Sequence, residues 1–157
     1  MPAVVLLILR GRLDLALMVF VAAGVSDALD GWLARATGAY SALGAVLDPL
    51  ADKALLVSVY VTLAAVGVLP DWIAVLVVFR DLLIVGGYFA LWVAGHRMPI
   101  APIMVSKANT ALQIALAALA LASAPAMLVQ AALWLTAAST LASGGIYVVR
   151  AARGSGA

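Results

Sequence analysis

The chain has 157 residues, 67% of them hydrophobic and only 10% charged, with a formal net charge of +2 and no cysteine. At a mean hydropathy of +1.20 there is too little polar surface to wrap a soluble core, so composition points to an integral membrane protein. The missing cysteines exclude disulfides, thiolate metal sites and cysteine nucleophiles, and so small a charge, sited in short loops, gives no basis for nucleic-acid binding.

Met1 to Leu9 is apolar but lacks a basic n-region and is followed by Arg10-Gly11-Arg12, which does not suit a signal peptide. A spanning helix needs about 20 residues, so this end reads as a half-span or a late start of the chain. A helix is expected from about Leu13 to Ala36, then a polar loop from Thr37 to Ala42 with Gly38 as its stop signal. The third helix is placed at about Leu43 to Val66, with Gly67, Pro70 and Asp71 turning the chain into a fourth at about Trp72 to Ala94. Gly95 to Pro102, with His96 and Arg97, reads as a loop in which His96 is a surface residue. Residues 108 to 149 carry no charge; as one helix they would reach about 63 Å, twice a ~30 Å hydrocarbon core. Pro125 is therefore the break between helices at about Ile103 to Ala122 and Ala126 to Val149, and residues 150–157 read as a flexible tail. The whole, residues 1–157, is expected to be one all-α polytopic transmembrane bundle, with 1–9 as a partial first span.

Basic residues set the orientation. Arg35, Arg97, Lys107, Arg150 and Arg153 share one side and Arg10 and Arg12 the other, which makes the first side cytoplasmic under the positive-inside rule.

All seven acidic residues are aspartates, and Asp27, Asp30, Asp48 and Asp52 fall within one stretch that ends at Lys53. A carboxylate inside an apolar helix costs at least ~2.5 kcal/mol, so four at helical spacing call for something that binds them. Asp27 and Asp30 are three apart and Asp48 and Asp52 four apart, so each pair shares a helix face, and rise per residue puts both pairs about 7 to 14 Å in from the cytoplasmic end. Two facing helices would converge four oxygen-donor groups, a set that suits two Mg²⁺ or Mn²⁺ ions and in-line displacement at phosphorus. Gly31, Ala34 and Gly44 keep the carboxylate faces free of bulk, so a nucleotide could approach the backbone. Arg35, at the end of the stripe, is placed for bidentate contacts to phosphate oxygens.

The order D-x2-D-G-x2-A-R-x8-G-x3-D-x3-D is met at Asp27, Asp30, Gly31, Ala34, Arg35, Gly44, Asp48 and Asp52. It resembles the signature of the CDP-alcohol phosphatidyltransferases. The resemblance implies a bundle of the six-helix type with a shortened first helix, a homodimer and two divalent cations. It makes Asp27, Asp30 and Asp48 metal ligands and Asp52 the base that deprotonates the acceptor, with a ligand role for Asp52 as well. Gly31, Ala34, Arg35, Ser41 and Gly44 would form the CDP site.

Leu47 to Lys53 is similar to the form in phosphatidylglycerophosphate synthases and in cardiolipin synthases of the eukaryotic and alphaproteobacterial type. Phe79-Arg80-Asp81 and Val105 to Gln113 look more like the latter, and the second basic-acidic pair typical of the former on helix four is missing. What this implies is transfer of a phosphatidyl group from CDP-diacylglycerol to phosphatidylglycerol, giving cardiolipin and CMP, with the active site on the cytoplasmic face of a bacterial inner membrane. The alternative acceptor is glycerol-3-phosphate; the alternative of another class is a non-catalytic membrane protein derived from the enzyme. The family normally opens with a Pro-Asn-x-x-Thr-x-x-Arg segment leading into a full first span, in place of which this chain has Met1 to Leu9.

Outside the signature, Lys53 reads as a structural ion pair, an interface residue or a participant in catalysis. Arg80 lies about 21 Å from the cytoplasmic end of its helix, and reads either as part of the acceptor site or as an ion pair with Asp81 closing the cavity floor. Lys107, near the cytoplasmic end of helix five, is the other candidate for the acceptor's phosphate. Gly86, Gly87, Gly144 and Gly145 read as close-packing positions.

Overall fold

The described residues form six α-helices: α1 (Pro2–Leu9), α2 (Leu13–Thr37), α3 (Gly44–Ala65), α4 (Asp71–Val93), α5 (Met104–Leu121) and α6 (Ala126–Gly154). The computed structural model describes residues 2–37, 44–93 and 104–154. Within those ranges the side chains at 28, 31–32, 34–37, 44–52, 87–93, 104–105, 148 and 150–154 are not described. No strand occurs among the described residues. The helices match the sequence expectation to within a residue or so, with one correction. Instead of a flexible tail from residue 150, α6 continues through Arg150 to Gly154. Valine, arginine and alanine follow one another there without proline, and glycine comes only at the end, so nothing stops the helix earlier.

The connections on one side of the bundle share a single device. In each, the backbone N–H of the residue in left-handed conformation returns to a carbonyl three residues back, and the next N–H reaches five residues back. Gly11 (φ 69°) bonds to Ile8 at 2.9 Å and Arg12 to Leu7 at 2.9 Å; Gly67 (φ 74°) bonds to Ala64 at 2.8 Å and Val68 to Leu63 at 2.9 Å. After α5 the same pattern uses Ser123 (φ 50°), bonded to Ala120 at 3.2 Å, with Ala124 bonded to Leu119 at 3.1 Å. Three helix ends thereby satisfy carbonyls that lipid could not.

Apolar packing is concentrated towards those turns. Val4 and Ile8 of α1, Ala16 and Phe20 of α2, Leu55 to Leu63 of α3, Leu69 to Val77 around the start of α4, Leu116 to Leu121 of α5 and Leu133 and Ala137 of α6 supply the core. Further from the turns the interior becomes polar, with Arg80, Asp81, Asn109, Gln113, Thr140 and Ser143 all buried. The aspartates of the signature lie beyond that layer on α2 and α3, towards the opposite end of the helices.

The outer surface is apolar as well. Met18, Val25, Leu29 and Leu33 on α2, Val75, Phe79 and Leu82 on α4, and Trp134, Leu135 and Leu141 on α6 are each more than half exposed, which is what a lipid-facing surface presents. Among the described residues α6 is the one helix long and apolar enough to cross a membrane, over Ala126–Tyr147. Asp14, Asp27 and Asp30 interrupt the apolar run of α2, and Arg80 and Asp81 that of α4.

Ser123 holds a left-handed conformation that costs a residue with a side chain roughly 1 kcal/mol relative to glycine. Ser123→Gly is expected to raise stability by about that amount, and Gly67→Ala to lower it similarly; denaturant unfolding in detergent, followed by circular dichroism, measures both.

Candidate active site

Asp27 and Asp30 stand one turn apart on α2, close to the polar end of the bundle. Both are exposed, and neither makes an ion pair among the described residues. Gly31, Ala34 and Arg35 follow on the same helix. Gly44 is the first residue of α3, and Asp48 and Asp52 lie one turn apart in its first half. The side chains of Ala34, Arg35, Asp48 and Asp52 fall outside those described, as do Ser41 and His96 altogether. Among the described residues α2 packs on α1 and α5, while α3 packs on α1, α4 and α5, and no three acidic or histidine side chains come together. The expected convergence of four carboxylates thus involves two side chains outside the described set.

Next to Asp52 in the chain, the described side chains are strongly polar. Lys53 donates to Asp81 Oδ1 at 2.7 Å, and Arg80 Nη1 donates to the same oxygen at 2.7 Å. Arg80 Nη2 is shared between the hydroxyls of Ser106 on α5 and Ser143 on α6, each at 2.7 Å. Arg80 and Asp81 are almost wholly buried, at 2% and 5% exposure. The cost of burying them is offset because each meets an opposite partner at hydrogen-bonding distance. Of the two readings of Arg80, this geometry is that of a closed ion pair in the bundle interior. Lys53 joins it as the structural ion pair that was one of its readings.

The polar layer continues towards the core. Thr140 donates to Asn109 Oδ1 at 2.9 Å, Thr136 to the Leu112 carbonyl at 3.3 Å and Tyr60 to the Gln113 carbonyl at 3.0 Å. Arg80 Nε, Asp81 Oδ2, Asn109 Nδ2 and Gln113 Nε2 are buried without a partner among the described residues. Sequence reading did not single out Ser143, Thr136 or Thr140. The available signal was spacing: Ser106, Asn109 and Gln113 on α5, and Thr136, Thr140 and Ser143 on α6, recur at three to four residues on otherwise apolar helices. Lys107, by contrast, is exposed.

Comparison with known proteins decides the family. The model of the CDP-alcohol phosphatidyltransferase family matches residues 1–142. The chain belongs to the CDP-alcohol phosphatidyltransferase family. Among relatives, it is 34% identical over 140 residues to "Cardiolipin synthase (CMP-forming)" of Rattus norvegicus and equally to that of Homo sapiens, in each case over 78% of this chain and 46% of the relative. It is 40% identical over 115 residues to the chloroplastic "CDP-diacylglycerol--glycerol-3-phosphate 3-phosphatidyltransferase 1" of Oryza sativa subsp. japonica, over 62% of this chain and 35% of the relative. The chain thus spans about half the length, or less, of these relatives. All eight signature positions lie inside the part that matches the phosphatidyltransferase model.

Two aspartates in this family member have opposite structural status, and substitution separates them. Arg80→Met strips Asp81 of one cation and leaves two serines facing a methyl group, so it is expected to destabilise by about 3 kcal/mol. Asp27→Asn removes an exposed carboxylate that makes no ion pair among the described residues, and is expected to leave stability within about 0.5 kcal/mol. Thermal unfolding of both variants in the same detergent checks the contrast.

Proposed function

We propose that the protein transfers the phosphatidyl group of CDP-diacylglycerol to the hydroxyl of phosphatidylglycerol, giving cardiolipin and CMP. The observation that supports this most is the eight-position signature carried on α2 and α3 within the family match. Relatives named as CMP-forming cardiolipin synthases, matched over most of this chain, favour the lipid acceptor.

The donor set suits hard divalent cations, since it consists of carboxylates alone and Asp27 and Asp30 sit exposed on α2 with no ion pair among the described residues. Asp27, Asp30, Asp48 and Asp52 would hold two such ions. Bound there, Mg²⁺ or Mn²⁺ would offset charge on the pyrophosphate and on departing CMP. The chain's own part is positioning and proton transfer. Arg35 would hold phosphate oxygens by bidentate contacts, and Gly31, Ala34, Ser41 and Gly44 would admit the cytidine diphosphate. Asp52 would take the proton of the acceptor hydroxyl as its oxygen bonds to the phosphatidyl phosphorus and the bond from that phosphorus to CMP breaks. Lys107 is the candidate contact for the acceptor's phosphate, with Arg80 closing the floor beneath it. We place the site at the cytoplasmic face of a bacterial inner membrane, in a homodimer, from the distribution of basic residues and the family's habit.

A second reading has glycerol-3-phosphate as acceptor, favoured by the rice relative. Purified protein incubated with CDP-diacylglycerol, Mn²⁺ and each acceptor in turn is expected to release CMP with phosphatidylglycerol. Product with glycerol-3-phosphate alone would replace the first reading by the second, and no metal-dependent CMP release with either would point to a non-catalytic member. Asp52→Asn is expected to lower turnover by at least about 100-fold in protein that remains folded; full activity in that variant would remove Asp52 from the role of base.

A further inference from the structure

Lys53 is bonded where charge balance does not require it. Asp81 already has Arg80 Nη1 at 2.7 Å, which neutralises the buried carboxylate. The ammonium of Lys53 nevertheless comes to the same oxygen, Oδ1, at 2.7 Å, while Oδ2 is buried without a partner among the described residues. Its side chain is 31% exposed, so water was within its reach. A second cation on one oxygen adds little to neutrality, but it adds direction.

What it directs is α3. The residues that follow directly on that helix, Leu55, Leu56 and Val59, are held by apolar contacts, which are non-directional; the next directional tie is the Tyr60 hydroxyl on the Gln113 carbonyl, two turns further along. A 2.7 Å ion pair fixes both rotation and axial position, and its anchor is itself fixed by Ser106 of α5 and Ser143 of α6 through Arg80. Consecutive helical residues leave the axis about 100° apart. Once Lys53 is held, the rotation of the α3 backbone at residue 52 about the helix axis is restricted too.

We infer that Lys53, clamped by Asp81 and through it by Arg80, Ser106 and Ser143, is a positioning residue that aims Asp52 at the acceptor hydroxyl. The inference rests on the phosphatidyl-transfer reading above. Misplacement by about 1 Å in a reacting group is enough to cost on the order of 100-fold in rate, so the clamp acts on turnover rather than on donor affinity.

The test compares wild type with Lys53→Met, Lys53→Arg and Asp81→Glu in the full chain, with CDP-diacylglycerol, Mn²⁺ and the acceptor that wild type uses. Lys53→Met keeps the Arg80–Asp81 pair and hence the buried charge balance. Its kcat is expected to fall about 30-fold with KM for CDP-diacylglycerol within about two-fold and the unfolding midpoint unchanged, whereas Lys53→Arg recovers most of kcat. Asp81→Glu preserves every charge but moves the carboxylate by one methylene, and about a ten-fold loss of kcat per folded molecule is expected. Wild-type kcat in Lys53→Met, or a loss that tracks the folded fraction in both Lys53→Met and Asp81→Glu, would overturn the inference and leave phosphatidyl transfer standing. Wild type that releases no CMP with either acceptor would remove the functional reading, and the inference with it.

Discussion

A carboxylate that accepts two cations inside an oily bundle is the constraint to which the other polar features answer. Charges buried in so apolar a chain must be paired where they stand, because removing one member leaves the others without solvent or counter-ion. Asp81 supplies that pairing for Arg80 and Lys53. Arg80 then reaches across to serines on two further helices. One acidic oxygen thus ties α3 to α4, and the guanidinium ties α4 to α5 and α6. Apolar packing would tolerate sliding among these helices. Hydrogen bonds at 2.7 Å do not, since their strength falls steeply with misalignment.

The bundle is graded along its length for a related reason. At the end with the three tight turns, the core is built from leucine, valine, isoleucine and alanine, and the helix termini satisfy their own carbonyls. That end needs no water. At the other end the chain carries exposed Asp27 and Asp30, which need either water or cations. The layer between contains groups that pair with one another, such as Thr140 with Asn109 and Tyr60 with the Gln113 carbonyl. It separates a dry scaffold from a wet site. Its unpartnered donors and acceptor, including Asn109 Nδ2 and Asp81 Oδ2, mark the places where a buried water would find polar company.

Helices were legible in the sequence because the punctuation is strong. Gly11, Gly67 and Pro125 mark three turns, and the aspartate signature carries the resemblance that the family match then bears out. Two things were not legible. Serine at position 123 gives no hint that its backbone is left-handed, since serine rarely takes that conformation. The link from Lys53 to Asp81 joins residues 28 apart in sequence, and periodicity within one helix says nothing about which neighbour it meets. Arg80 illustrates the limit well. Sequence placed it deep in a span, but only the structure shows its hydrogen bonds committed to Asp81, Ser106 and Ser143. The end of α6 lies past the apolar run, where Arg150 and Arg153 end the apolar part of the helix but not the helix itself.

The commitment of Arg80 bears on the acceptor. Glycerol-3-phosphate carries a phosphate monoester with nearly two negative charges at neutral pH, whereas phosphatidylglycerol carries a diester with one. A monoester held in a membrane cleft calls for more than one cation, as charge-assisted contacts work singly against single charges. The described basic side chains beyond the turn end are Lys53, Arg80 and Lys107, and the first two are engaged with Asp81. Lys107 alone among them is exposed and free of an ion pair. Among the described side chains at that end, one ammonium is therefore open to an incoming anionic group, beside apolar outer faces of α2 and α4 that are suited to acyl chains.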